Sequence, residues 1–536
     1  MADFRKLILV LAVLAVVAAP ASAQLACTEV NAVPAQLRSE GITEMVGNTE
    51  LVCTNETEQR ISITAILGPD TAIDTNRILN TSTREINAYV RVNGLGGDDT
   101  YIPGRLLPDQ RTIVWDDVLV PAVSAPATTL LTITNIRVNA SGIALGSDVT
   151  ERVFVAGPSV LPLPQNQVVV GAVFRGLFFS ATAATTFPGC NPRNTVIGEN
   201  TEPDFTISFM EGFANAFKTK DDNTFNQAME YNPLPIPEQG VNDATRLRAV
   251  FENVPTGVNL WVSIHPTSGL LDTEIATGAT GNTAGYAQVT LFNNKGTVEW
   301  RILAGADAAV TQTATFNVVV GVPGTVITPP NGVTTASTVY GTFARISSII
   351  RAATAFEAPI PRFVEQNVAR TNVFTVSACV TNLLFPFVTN QAGFDTGIAL
   401  INTSQSNFTG DSGTPANAPF NIAAQTGACT LYYFGVNAPA APQVTPPIGV
   451  DTTGSLLNRV MYAFSLSTVV SGEGFQGYII ARCNFQYGHG YAFISDLGAD
   501  ELAHGYLALV IPDLGNNRNA DPFTEAGAGV GEQLAF

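Results

Sequence analysis

The sequence is poor in the residues on which most enzyme chemistry depends. Its 536 residues include three histidines, and only 13% are charged. It has no CxxC pair, no GxxxxGK[ST] phosphate loop and no basic stretch with interleaved aromatic residues. These absences argue against zinc–thiolate sites, thioredoxin-type redox chemistry and P-loop nucleotide binding. Nucleic acid is also excluded as a partner, because the formal net charge is −18 and an acidic surface repels it.

The first 23 residues have the features of an export signal. Arg5 and Lys6 precede an apolar run over residues 7–19, and Ala21-Ser22-Ala23 offers small side chains to a signal peptidase. A helix needs about 20 apolar residues to cross a bilayer. The run over residues 7–19 is shorter than that, and no later apolar run approaches that length. We therefore expect residues 1–23 to be a signal peptide and the protein to be extracellular or at the cell surface, with no integral membrane span.

All six cysteines follow the predicted cleavage site, which favours disulfide bonds in an exported chain. Six cysteines allow fifteen pairings, and the sequence does not choose among them. Cys27 with Cys53 is the most favoured single pair, because both lie in the first module and flank a short segment. The alternative is a set of buried free thiols. The pairing stays open for the other four, which are Cys190, Cys379, Cys429 and Cys483.

Period-two alternation of apolar and polar residues dominates the chain after the signal. In TVEWRIL, Val298, Trp300 and Ile302 share one face, and RLRAVFENV and EINAYVRV repeat the pattern. Asn293-Asn294-Lys295-Gly296 predicts a hairpin turn. Other stretches, such as GYIIARCNF, are apolar throughout, which is typical of central strands. We predict an all-β fold of tandem antiparallel β-sandwich (Ig-like) modules, with few or no long helices after the signal peptide.

Proline-rich stretches indicate the boundaries between modules. Residues 156–167 would end a first module, and residues 321–335 a second. The expected organisation is a β-sandwich module over 24–165, a second over 166–330 and a C-terminal β module over 331–536.

Several longer segments of the chain have a distinctive sequence. They include ACTEVNAVPAQLRSEGITEMVGNTELVCT (26–54), TITNIRVNAS (132–141), LLFPFVTNQAGFDTGIALINTS (383–404) and GFQGYIIARCNFQYGHGYAFISDLG (474–498). Together they resemble a family of uncharacterised exported bacterial proteins, and the resemblance spans most of the chain. It implies a secreted, β-rich protein and no particular activity.

The tetrad Gly410-Asp411-Ser412-Gly413 resembles the nucleophile loop of chymotrypsin-like serine proteases. In those enzymes a histidine upstream of the serine takes its proton. His265 is the one histidine upstream of Ser412, and its context, VSIHPTS, differs from the Ala-Ala-His-Cys of that family. The residues around Ser412 are typical of an exposed loop, so we do not predict a protease.

Two weak sets of metal-ligand candidates remain. His489 and His504 flank Asp496, and histidines with a carboxylate can share a metal ion. Their spacing matches no standard motif, and structural hydrogen bonding is the alternative. Asp98 and Asp99 in GLGGDDTYIPG are candidate calcium ligands, although the DxDxDG arrangement is missing. We predict no cofactor and leave calcium open.

Aromatic residues cluster in LYYFG (431–435) and FQYGHGYAF (485–493). Such clusters can form sugar-stacking faces, although their place in strand-like runs favours the hydrophobic core. The sequence as a whole predicts a secreted or cell-surface structural or adhesive protein that binds another protein, itself or a glycan through loops or sheet edges. An exported hydrolase with an unrecognised active site is the alternative. A further alternative is an outer-membrane-associated protein, because the sequence ends in Phe536 and many outer-membrane proteins end in phenylalanine.

Overall fold

The structure is a computed structural model. It describes residues 24–93, 99–123, 127–182, 185–189, 193–194, 196–219, 243–267, 269–322, 334–345, 360–377, 380–404, 425–440, 442–444, 454–470 and 474–511. The predicted signal peptide lies outside these residues, as do Asp98, Cys190, Cys379 and Ser412.

The regular secondary structure of the described residues is almost entirely β, which confirms the predicted fold class. They contain 35 strands, a one-turn helix at Leu466–Val469 and a short 3₁₀ turn at Ala140–Gly142. No helix in this part of the chain has the length and apolarity that a membrane crossing requires. The strands fall into three groups, which we call the N-terminal unit, the middle unit and the C-terminal sandwich.

The N-terminal unit is built on one eleven-stranded sheet, ordered β1-β4-β10-β7-β8-β9-β5-β12-β13-β2 with β6 beside β7, and a small sheet of β11 and β3. Trp115 is fully buried in its core, and its indole donates to the Ala88 carbonyl. The strands are β1 (Ala26–Ala32), β2 (Ala35–Arg38), β3 (Glu44–Met45), β4 (Thr49–Thr54), β5 (Gln59–Gly68), β6 (Ile78–Asn80), β7 (Glu85–Val92), β8 (Thr100–Leu106), β9 (Thr112–Val120), β10 (Thr129–Thr134), β11 (Arg137–Val138), β12 (Asp148–Ala156) and β13 (Gln167–Phe174).

The middle unit consists of two sheets around a phenylalanine-rich core. One has the order β14-β16-β24-β18-β21-β20, and the other β15-β26-β25-β17-β23-β19 with β22 beside β23. The rings of Trp300 and Phe316 stack inside it at 4.3 Å between centroids. The strands are β14 (Leu177–Ala181), β15 (Thr185–Pro188), β16 (Phe205–Glu211), β17 (Arg246–Glu252), β18 (Asn259–Ser263), β19 (Asp272–Thr277), β20 (Ala279–Thr283), β21 (Tyr286–Val289), β22 (Leu291–Phe292), β23 (Lys295–Ala304), β24 (Thr313–Gly321), β25 (Ser337–Phe343) and β26 (Thr371–Ser377).

The C-terminal sandwich packs a five-stranded sheet, β30-β29-β32-β27-β35, with a four-stranded sheet, β31-β28-β33-β34. Side chains from both sheets form its core, including Phe385, Ile398 and Ile479. The strands are β27 (Thr381–Thr389), β28 (Asp395–Asn402), β29 (Cys429–Val436), β30 (Gln443–Val444), β31 (Met461–Ser465), β32 (Gln476–Cys483), β33 (Gly488–Ser495), β34 (Ala503–Leu507) and β35 (Leu509–Ile511).

The alternation predicted from the sequence is present in the strands. Val298, Trp300 and Ile302 of β23 are buried, and the residues between them are half-buried. Asn293 and Asn294 connect β22 to β23 with φ values of 48° and 61°. Two successive residues in this left-handed region form the turn that suits a tight hairpin, so the hairpin prediction is also confirmed.

Some strands form hydrogen-bonded pairs across the module boundaries that the sequence predicts. β13 begins after residue 165, yet it pairs with β12 and β2 in the N-terminal sheet. β25 and β26 follow residue 330, and they pair with β17 and β15 of the middle unit. The proline-rich stretches at 156–167 and 321–335 therefore connect strands that belong to the same unit.

A buried polar joint ties the N-terminal unit to the middle unit. The Arg38 guanidinium lies 2.8 Å from a Glu44 carboxylate oxygen, and both side chains are almost fully buried. Arg38 also donates across the joint to the Ala216 carbonyl at 3.1 Å and the Thr245 hydroxyl at 3.0 Å. A buried ion pair with these additional hydrogen bonds specifies one arrangement of neighbours, so the joint holds the two units together in a defined register.

Candidate binding surface

The outward side of the five-stranded sheet carries aromatic residues. Along β29, Leu431 and Tyr433 point into the core, while Tyr432 and Phe434 point outward, with Phe434 40% exposed. This alternation follows from the pleat of a strand. The LYYFG cluster is therefore half core and half surface.

Neighbouring strands extend this apolar surface. Phe434 lies opposite Tyr478 of β32, and their rings stack at 4.9 Å between centroids with 15° between planes. A second row crosses four strands through directly opposed residues: Tyr432, Ile480, Leu384 and Leu509. We call the outward side of this sheet the five-strand face. Its most exposed large apolar side chains are Phe387, Tyr432, Phe434, Val436, Tyr478 and Leu509.

The four-stranded sheet presents a similar surface on the opposite side of the sandwich. One row of opposed residues crosses all four strands: Ala463, Ala399, Tyr491 and Leu507. Phe493 is 43% exposed and lies opposite Gly505, where a larger side chain would collide with the Tyr491 hydroxyl. We call this surface the four-strand face. Its most exposed apolar residues are Met461, Tyr491, Phe493 and Leu507.

Charge is scarce around both faces. Residues 381–511 contain nine Asp, Glu, Lys and Arg in 131 positions, whereas residues 24–380 contain 53 in 357. Among the described residues, every ion pair joins positions between 38 and 370. Within the described strands of the sandwich, Arg482 is the one charge on the five-strand face and Asp395 the one on the four-strand face.

A half-buried phenol helps to hold the sandwich together. Tyr506 donates its hydroxyl to the Phe387 carbonyl, which links the four-stranded sheet to the bulged part of β27. Burial raises the pKa of Tyr506 to about 12, and burial also raises the pKa of Tyr433. Both groups therefore stay neutral at physiological pH and add no charge to the sandwich.

The structure contains the disulfide that the sequence most favoured, Cys27–Cys53, which joins directly opposed residues of β1 and β4. It contains a second between Cys429 and Cys483, which are directly opposed on β29 and β32. The second bond lies on the buried side of the five-stranded sheet, behind the five-strand face.

The candidate metal ligands near the C-terminus do not converge. His489 lies opposite Ile401 on the four-strand face, whereas His504 lies opposite Ile494 on the other side of the sheet. The Asp496 carboxylate accepts hydrogen bonds from the backbone N–H groups of Gly498, Asp500 and Leu502. These bonds, the one from Leu502 first, lower the Asp496 pKa. Asp496 thus shapes the turn between β33 and β34.

The other candidate residues are also accounted for. Asp99 accepts two hydrogen bonds from the Arg91 guanidinium at 2.8 and 2.6 Å. His265, considered as a partner for Ser412, lies 2.9 Å from Asp272, and both are more than half exposed. In the part of the chain that the structure describes, no three His, Cys, Asp or Glu side chains are close enough together to hold a metal ion.

An open groove of about 500 Å³ lies at one end of the middle unit. Its polar lining is made of neutral amides and hydroxyls: Thr256, Asn259, Thr280, Gln288, Thr290, Asn293 and Asn294. With neither a charged nor an aromatic side chain in that lining, the groove offers no general acid, base or stacking platform. The faces of the C-terminal sandwich are therefore the stronger candidate for function.

Sequence reasoning missed most of the two faces. Met461 and Leu507 sit in runs that look like core strands, and nothing local marks them as exposed. The available signal was the scarcity of charge over residues 381–511. A sheet that faced only water would alternate apolar residues with charged or polar ones.

Comparison with solved structures finds distant similarities. The C-terminal domain of the AgI/II polypeptide BspA of Streptococcus agalactiae matches with 10% identity and a TM-score of 0.25, covering 66% of this chain and 99% of that domain. The MSCRAMM ACE of Enterococcus faecalis, which binds its ligands by the collagen Hug model, matches with 8% identity and a TM-score of 0.16, covering 67% and 95%. No protein-family model and no curated protein matches the chain. At these TM-scores the similarities carry no part of the functional argument.

Proposed function

We propose that this protein is an exported structural or adhesive protein of the cell surface or extracellular matrix, and that it acts by binding through its C-terminal sandwich. The observation that carries the proposal is the pair of exposed, nearly uncharged faces. Contiguous exposed apolar surface is costly in water and marks sites of interaction. A catalytic role is not proposed, because the described histidines meet no nucleophile or clustered carboxylates.

The rest of the molecule supports this proposal as scaffolding. The two packed sheets of the sandwich and the Cys429–Cys483 disulfide keep the faces in fixed positions, which lowers the conformational cost of binding. Disulfide bonds also suit an oxidising compartment outside the cytosol. The N-terminal 23 residues supply the expected route there.

Cell fractionation tests the proposal. Three forms of the full chain are expressed in the producing cells: wild type, the double variant Phe434→Glu/Phe493→Glu and the control Phe154→Glu, whose phenylalanine on β12 is 44% exposed. We expect the wild type and control to be retained on cells or in matrix, and the double variant to be released into the medium. Equal retention of all three forms would refute the role of the faces.

Mass spectrometry of the retained protein tests the export step. The expected N-terminus is Gln24, produced by cleavage after Ala23. An unprocessed chain that stays inside the cell would contradict the proposed location. A hydrolytic activity that disappears with His265→Ala would favour the exported hydrolase instead.

A further inference from the structure

We propose that copies of this chain stack through their C-terminal sandwiches, with the five-strand face of one copy packed on the four-strand face of the next. This inference rests on the proposed function, because it names the partner of the same faces. Both surfaces resemble the inner faces of a β-sandwich, where apolar side chains of two sheets interdigitate about 10 Å apart.

Net charge restricts where two copies can meet. The chain carries a formal charge of −18, so most of its surface repels a second copy. The described strands of the sandwich contribute one charge to each face, and the two have opposite sign: Arg482 on the five-strand face and Asp395 on the four-strand face. Contact between unlike faces brings one charge of each sign into the interface, whereas contact between like faces brings in two identical charges.

The size of the faces suits a specific contact. Strands about 4.8 Å apart and rising about 3.3 Å per residue give each face a footprint of roughly 20 by 25 Å. Because the side chains stand out from the sheet, the accessible area exceeds that footprint. It is of the order of the ~800 Å² that each partner contributes to a standard interface.

The geometry of the rings favours a protein partner over a sugar. Phe434 and Tyr478 stack on each other, so each ring covers one flat side of the other. Sugars stack on open ring faces, whereas a second sheet packs against ring edges and aliphatic branches such as Val436 and Leu509. The five-strand face presents Val436 and Leu509 for such packing beside its aromatic side chains.

The two faces lie on opposite sides of one sandwich, and this determines the form of the assembly. A contact between unlike surfaces leaves one face free at each end, so it can repeat without closing. The expected product is an open stack whose length grows with protein concentration. A contact between like faces of a single kind would stop at a dimer.

Sedimentation velocity of the mature full chain tests the proposal, with Phe434→Glu as the five-strand variant and Phe493→Glu as the four-strand variant. We expect wild type and the Phe154→Glu control to form a concentration-dependent series of oligomers. Each face variant alone should be monomeric. An equimolar mixture of the two should give a one-to-one dimer that grows no further, because each variant retains one intact face.

The mixing experiment also controls for folding, since a variant with an unfolded sandwich could not contribute its intact face. Three results would overturn the proposal: a monomeric wild type at high concentration, a mixture without dimers, or a closed wild-type dimer that only one variant disrupts. A monomeric wild type whose double variant is still released from cells would remove self-association and leave the proposed function in place.

Discussion

The N-terminal and middle units use charge, and the C-terminal sandwich largely does without it. In the first two units, arginines pair with carboxylates both on the surface, as in Arg105–Asp116, and deep inside, as in Arg38–Glu44. In the sandwich, the corresponding outward positions hold Tyr, Phe, Ile and Leu. A charged exterior keeps a domain soluble and separate from its neighbours. This difference agrees with the proposed function, in which the sandwich binds and the other two units act as scaffolding.

The largest expected effect concerns the buried ion pair of the joint. Arg38→Ala leaves Glu44 buried without its partner, and breaking such a pair costs about 3–5 kcal/mol. Urea unfolding followed by tryptophan fluorescence measures this loss. All three tryptophans, at 115, 261 and 300, lie in the first two units, so the signal excludes the sandwich.

The matched control for that experiment is Arg60→Ala. Arg60 pairs with Asp117 on the surface, where the side chains are 59% and 69% exposed. Water and salt screen such a pair, so the loss of stability should be much smaller than for Arg38→Ala. Similar losses in both variants would show that burial of the joint does not set its contribution.

The next effect concerns the disulfide behind the five-strand face. In Cys429→Ala/Cys483→Ala, an unfolded loop spanning 54 positions is no longer closed. The gain in chain entropy should lower the stability of the sandwich by about 2–4 kcal/mol. Hydrogen exchange of strands β29 and β32 reports this directly. The double variant at Cys27 and Cys53 should loosen β1 and β4 instead, and loss of protection in the same strands for both variants would contradict the assignment.

The third effect is a pH dependence inside the N-terminal unit. Glu151 is fully buried, and burial raises its pKa to about 7 although Thr49 donates a hydrogen bond to it. In the folded state the Glu151 carboxyl therefore stays protonated up to about pH 7. In the unfolded chain its pKa is that of an ordinary glutamate, so it loses the proton at a lower pH. Glu151 costs nothing at pH 4, and the penalty grows to about 3 kcal/mol as the pH rises to 7.

Glu151→Gln isolates this contribution, because the amide keeps the shape and cannot ionise. We expect the variant to be more stable than wild type by about 3 kcal/mol at pH 7.5 and equal to it near pH 4. Urea unfolding at several pH values gives the difference directly. A stability difference that does not change between these two pH values would show that Glu151 does not titrate in this way.

These contrasts also show what the sequence can reveal. The buried row of β23 and the Asn293-Asn294 turn were predictable, because a strand's period and a turn's dihedral angles depend on adjacent residues. The joint was not, because Arg38 and Thr245 are 207 positions apart and only the folded chain brings them together. The pairing of Phe434 with Tyr478 is hidden for the same reason.

The apolar runs predict more burial than the structure shows. GYIIARCNF reads as a strand covered on both sides, and β32 is indeed an interior strand of its sheet. Its inward residues Ile479 and Ala481 are buried, yet Tyr478 on the other side is 40% exposed. The sequence therefore predicts that both sides of β32 are buried, whereas within one chain only the inward side is. A second copy on that face would account for the difference.

The smallest expected effect concerns Asp99, a calcium candidate on the charged side of the comparison. Its carboxylate is bound by Arg91 in a partly exposed pair, so Asp99→Asn should cost no more than about 1 kcal/mol. The cost should be the same with calcium and with magnesium, because the arginine already occupies the carboxylate. Thermal unfolding of both forms in each salt measures it. A melting temperature that calcium raises in wild type and not in the variant would instead make Asp99 a calcium ligand, and its carboxylate would then bind the ion rather than Arg91.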